Sequence, residues 1–169
     1  ILNATDVNTT TLTASQSLNV GVNNPNEIGS GSFSQGGGNI SSGSSSHAEG
    51  VGTTAAGNYS HSEGQSTKAN GEGSHTEGGG TVATNSCSHA EGAGTTASGV
   101  CSHTEGYNTY TIGSNAHAEG YGTTANGVYS HAEGYYAYAG DQSSHAEGYS
   151  TRATSPFSHA EGYNTTASS

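Results

Sequence analysis

Small and polar positions alternate along this chain with a period of two, and the alternating block itself returns every fourteen residues. The frame is Ser-His-x-Glu-Gly followed by x-x-Thr-x-Ala. Nine histidines mark it, at His47, His61, His75, His89, His103, His117, His131, His145 and His159. Two residues beyond each stands a glutamate: Glu49, Glu63, Glu77, Glu91, Glu105, Glu119, Glu133, Glu147 and Glu161. A glycine follows every one of these, from Gly50 to Gly162. The residue before the histidine is Ser in eight repeats and Ala116 in the other, and the residue between His and Glu is Ala, Ser or Thr. Three residues past the glycine comes Thr, replaced once by Ala137; two further on comes Ala, replaced once by Thr111.

Side chains alternate across a strand, so this frame predicts two short strands per repeat. In the first, Ser, Ala and Gly are expected on one face and His and Glu on the other. In the second, Thr and Ala point inward while a variable residue points out: Thr54, Lys68, Val82, Thr96, Tyr110, Thr124, Tyr138, Arg152 and Thr166. Clusters of Gly, Asn, Asp and Ser supply the turns. The glycine and β-branched content and the absence of a 3.6-residue stripe exclude a helix. The expected fold is all-β: a parallel β-solenoid, or β-roll, of fourteen-residue coils, two short strands each, stacked about 4.8 Å apart.

The ends depart from the frame. Residues 17–21 and 32–36 fit Ser-x-x-x-Gly with Leu18/Val20 and Phe33/Gln35 in place of His/Glu, offset by fifteen residues with Pro25 between them. We expect a weakly patterned segment at 1–16, degenerate capping coils at 17–43 and nine regular coils at 44–169. The pattern stops in mid-coil at Ser169, so the native chain is expected to continue or to dock onto something. With no basic-then-apolar leader and no Met, the sequence reads as a mature product or a piece of something longer.

Composition sharpens this picture by contradicting any globular alternative. Leu, Ile, Val and Phe total 16 of 169 residues, below the roughly 20% at which a charged chain usually stays disordered. Only a thin interior of Ala, Ser and Thr, held by continuous backbone ladders, reconciles that composition with a fold. The formal charge is −11, with Lys68 and Arg152 the only basic side chains. Such a surface repels phosphate backbones and anionic lipid, and no apolar run reaches transmembrane length, so neither nucleic acid nor membrane insertion is expected.

Nine Ser-His-x-Glu clusters contain the components of a hydrolytic triad, yet His and Glu share one face and the serine takes the other. Catalysis needs one constellation in one cleft, not nine on a regular surface, and an enzyme is not expected. Imidazole and carboxylate also suit zinc, copper or nickel. One chain offers one of each per level, whereas three chains about an axis would offer three; this leaves room for metal on an axial histidine column, and no cofactor is assigned. The structural reading is a ladder of ion pairs between subunits. The variable column drifts, but the His/Glu column does not, which suggests that it packs against a partner of the same period.

The frame Ser-x-Ala-x-Gly followed by x-x-Thr-x-Ala-x-Gly resembles the head repeats of trimeric autotransporter adhesins, the YadA-like roll, over about residues 32–169. It is also similar to Ser-His-Ala-Glu-Gly repeats of phage appendage and Gram-positive surface proteins. The resemblance implies a left-handed trimeric roll with His47/Glu49 through His159/Glu161 at the axis, in an extracellular fibre on a cell surface or virion. It implies a homotrimer as partner, with host glycan or matrix as a further one. Here a polar, titratable column replaces the family's Val and Ile. Axial pairing would raise the histidine pKa values and make stability decline at alkaline pH.

Tyr107, Tyr121, Tyr135, Tyr149 and Tyr163 follow the motif glycine in five consecutive repeats. They read either as a stacking ladder or as a glycan- or receptor-contacting stripe. Cys87 and Cys101 occupy one column, one coil apart, where a disulfide is open. Sequons begin at Asn3, Asn8, Asn39, Asn58 and Asn164. The expected role is structural and adhesive. The alternatives are a filament subunit without adhesive activity and a monomeric ice-binding-like solenoid, the latter weakened by Lys68, Tyr110, Tyr138 and Arg152 in its outward column.

Overall fold

A computed structural model of the chain describes the strand Leu18–Val22 and residues 28–168. Among the described residues there is no helix: two parallel sheets run the length of a β-solenoid. Each coil contributes one strand beginning at the histidine, such as His47–Val51, and one two-residue strand, such as Thr54–Ala55. The histidine sheet has 11 strands, counting Leu18–Val22 and Phe33–Gly37, and the short-strand sheet has 10. Registers are strict, with His117 beside His131, Glu119 beside Glu133 and Thr96 beside Tyr110.

The degenerate coils join this register. Leu18 pairs with Phe33, Val20 with Gln35 and Gly21 with Gly36, and Phe33 and Gln35 then pair with His47 and Glu49. The fifteen-residue offset is thus absorbed between strands. Pro25, the segment 1–16 and Ser169 lie outside the described residues.

The interior is as thin as the composition requires. Ala48, Ala90, Ala118 and Ala132 of the histidine sheet and Ala55, Ala97 and Ala125 of the short-strand sheet are fully buried. Most of the hydroxyls buried with them are satisfied locally, which is what makes a polar interior tolerable. The serine that precedes eight of the nine histidines donates to the carbonyl three residues back, as Ser60 to Gly57 at 2.6 Å and Ser102 to Gly99 at 2.8 Å. The threonine after the corner donates to the motif glutamate's own carbonyl: Thr67 to Glu63, Thr95 to Glu91 and Thr109 to Glu105, at 3.1, 3.1 and 3.0 Å. In the first complete coil Asn39 stands in the threonine column and donates to Gln35 O at 2.6 Å.

The motif glycine corrects the simple alternation. It does not turn an absent side chain inward with Ser and Ala; it closes the coil corner with φ of +99° to +116° in repeats such as Gly50, Gly78, Gly106 and Gly148. A Cβ there would point along the stack into the next coil, 2.1 Å from Gly120 O in the case of Gly106. Both the dihedral and the close approach exclude every other residue. Two further turn columns sit at φ of 51–69°, and these accept Ser45, Tyr59, Cys87, Asn108, Tyr129 and Phe157. The left-handed helical region tolerates an L side chain at a cost of about 1–2 kcal/mol, whereas φ near 105° does not.

A substitution pair tests this distinction. Gly106→Ala should destabilise the protein by at least about 2 kcal/mol in chemical unfolding. Gly79→Ala, one position past a motif glycine with nothing within 4 Å of its added Cβ, should leave the transition unchanged.

Candidate functional site

The one surface that repeats without drift is the outward face of the histidine sheet. In every coil the His Nε2 faces the Oε2 of the glutamate two residues on, at 3.4 Å in His61–Glu63, His131–Glu133 and His145–Glu147 and up to 3.9 Å in His75–Glu77. The sequence-predicted pairs are therefore brought together, but within one strand of one chain rather than first across a subunit boundary. The reason is geometric: i and i+2 of a strand share a face and lie within side-chain reach. Both partners remain about one-third to one-half exposed through the regular coils. At His159 and Glu161, with no described coil beyond them, exposure rises to 58% and 69%.

Successive imidazoles stack. From His47 to His103 the ring centroids lie 4.6–4.8 Å apart with planes within 5° of parallel. His103 then meets His117 edge-on, at 4.9 Å and 64°, and stacking resumes from His117 to His159. The column is thus two stacks with a break between coils, and the coil after the break is the one carrying Ala116 instead of serine. Packed in this way, the Nε2 atoms of His47, His61, His75, His89, His103 and His117 are shut off from solvent without a hydrogen-bond partner.

The electrostatic direction reverses what pairing with glutamate suggested. At His61, burial first and then the flanking His47 and His75 lower the imidazole pKa; Glu63 and Glu49 pull it up and are outweighed. At His89 burial leads again, followed by His103 and His75, against Glu77 and Glu105. A protonated ring in a stack meets like charge above and below, a penalty that long, half-exposed contacts to carboxylates do not offset.

The tyrosine column forms the expected ladder. Tyr107, Tyr121, Tyr135, Tyr149 and Tyr163 stack at 4.8–5.1 Å with planes within 16°. Their ring faces cover one another, so the exposed stripe presents edges rather than flat platforms. Tyr136, which periodicity did not single out, leans edge-on against Tyr121 and Tyr135. Arg152 lies over the Tyr138 ring at 4.6 Å in the variable column, a cation–π contact between adjacent coils. Cys87 and Cys101 are free and exposed at turn positions. Asn39 is buried, which removes it as a glycan acceptor.

One cluster on this face has the donor set of a metal centre: the ligand atoms of His89, Glu91 and His103 all lie within 4.8 Å of one another. It joins two coils of one chain, an arrangement that the reading of one His and one Glu per level did not consider.

The pH dependence follows from the lowered values at His61 and His89. A histidine whose folded pKa lies below its unfolded one binds fewer protons in the folded state. Its contribution to stability is complete above the ordinary value of 6.5 and is lost as pH falls through the lowered folded value. Melting of the single chain should therefore move to lower temperature between pH 7.5 and 5, and His61→Gln with His89→Gln should flatten that profile. Loss on the alkaline side instead would show that glutamate contacts dominate.

No protein-family model matches this chain, and a search of curated proteins finds no match to it either.

Proposed function

We propose that this chain is a non-enzymatic structural and adhesive segment of an extracellular fibre or surface adhesin, assembled as a homotrimer through its His/Glu face. One observation carries the reading: nine coils present the same two polar side chains in register on an outward face, while the outward short-strand column varies from Thr54 to Lys68, Tyr110 and Arg152. Solvent alone imposes no such uniformity. A second copy with the same period does, because any mismatch in one coil would be repeated against its symmetry mates.

The solenoid geometry supports a spacer role. Ten complete coils at about 4.8 Å per coil make a rod of roughly 50 Å whose length scales with coil number. The resemblance to YadA-like head repeats points to the same assembly, with these positions at a three-fold axis. Host glycan or matrix is the adhesive target in this reading, and the tyrosine edges with their hydroxyls are the contact stripe. A virion fibre and a cell-surface protein use this geometry equally.

Light scattering on the intact chain tests the assembly. A trimer of the 16.7 kDa chain has a mass of about 50 kDa. Glu105→Lys with Glu119→Lys, placed within the face, should shift the mass to one subunit. Thr96→Lys with Thr124→Lys on the short-strand sheet should not. A single-subunit mass for the unaltered chain would remove the trimer.

A further inference from the structure

We infer that His89, Glu91 and His103 form a binding site for a divalent transition-metal ion of the zinc class, held between two adjacent coils of one chain. Two imidazole nitrogens and one carboxylate oxygen are a donor set that zinc takes with water in a fourth position. Their ligand atoms lie within 4.8 Å of one another. Metal–ligand bonds of about 2.0–2.2 Å would draw them together by roughly 1 Å, which is within the reach of side-chain rotation.

Three geometric features meet at this rung. The Nε2 atoms of His89 and His103 are shut off from solvent and have no hydrogen-bond partner, so each carries an unused lone pair or proton in a polar cluster. His103 is the last ring of the lower stack and meets His117 edge-on, so the column is not held to one ring plane at this point. The backbone ladder runs unbroken through this corner, with Glu91 N donating to Thr104 O and Ala93 N to Gly106 O, each at 2.9 Å, which fixes the spacing of the three ligand residues.

The surrounding field favours a cation. Motif glutamates stand in register on adjacent strands about 4.8 Å apart, and the whole chain has two basic residues against 13 acidic ones. A bound ion would relieve the repulsion of Glu91 from Glu77 and Glu105 while satisfying both buried nitrogens. Because the site is complete within one chain, the inference goes beyond the assembly reading and survives a monomeric mass.

The test is calorimetric titration with Zn2+ at pH 7.5, in a chain carrying Cys87→Ser and Cys101→Ser so that thiols cannot supply ligands. Saturation of the tightest phase near one ion per chain is expected. His89→Gln with His103→Gln, and separately Glu91→Gln, should weaken that phase by at least about tenfold. His131→Gln with His145→Gln, an equivalent pair elsewhere in the column, should leave it intact. Circular dichroism confirms folding of each variant, and light scattering reports mass with and without Zn2+. Absence of a tight phase, or equal losses from the two histidine pairs, would overturn the assignment.

Discussion

The close approach of one coil's glycine to the next coil's carbonyl is the constraint on which the rest of this structure depends. At Gly106 a Cβ would lie 2.1 Å from Gly120 O, and the same contact recurs from Gly36 upward. That approach lets the chain turn its corner while the ladder continues, with Gln65 N donating to Gly78 O at 2.8 Å and Ala93 N to Gly106 O at 2.9 Å. Once the corner is set, coil spacing equals strand spacing, and each residue of the regular coils lies directly over its counterpart fourteen positions away. The columns of Ala, Ser, Thr, His and Tyr are consequences of that one registration.

Registration also explains how so apolar-poor a chain folds. The core is two rows of alanine methyls with hydroxyls between them, far less hydrophobic area than a globular domain of this length buries. Each backbone hydrogen bond contributes only about 1 kcal/mol net, but a solenoid forms them coil after coil, and each new coil docks on a finished template. The serine and threonine hydroxyls remove the penalty of burying polar groups by bonding to carbonyls three or four residues away. Ser34, Thr53 and Thr151 are the exceptions among the described residues, with buried hydroxyls lacking a partner. Fold and composition thus constrain each other: a larger residue in the alanine rows would separate the sheets, and a larger residue at the corner would separate the coils.

The solenoid, its two strands per coil and the inward identity of Ala48, Thr53 and Ala55 were legible because a strand's period of two and a coil's period of fourteen both leave marks in a single sequence. The register of Leu18 and Val20 with Phe33 and Gln35 was legible for the same reason. The glycine's direction was not, because alternation assumes an extended residue and a φ near +105° breaks it. Nor was the tolerance of Tyr59, Tyr129 and Phe157 at positive φ, which depends on a turn that the backbone hydrogen bonds impose from outside. In the site, the pairing of His with Glu could be read from their i, i+2 spacing. The stacking of imidazoles, its break at His103, and the lowered pKa of His61 and His89 arise between coils, where burial leads and ring–ring repulsion adds to it against the attraction of the glutamates.

That balance governs what the invariant face can do. Two carboxylates about 4.8 Å apart repel by roughly 1 kcal/mol even at the dielectric constant of water, and nine in a row make a line charge. At His61 and His89 the stack opposes protonation, through burial first and then through the neighbouring rings. The stacked rings also offer nitrogen atoms beside the carboxylates, with Nε2 facing Oε2 at 3.4–3.9 Å. Imidazole nitrogens and carboxylate oxygens at a fixed repeat would form a surface that gains from cations, whether protons shared at a subunit boundary or metal ions held between coils. Association and ion binding are then not rival uses of the column. Three such line charges brought to one axis would repel more strongly than one, so the assembly that the repeat suggests is the state in which captured cations would matter most.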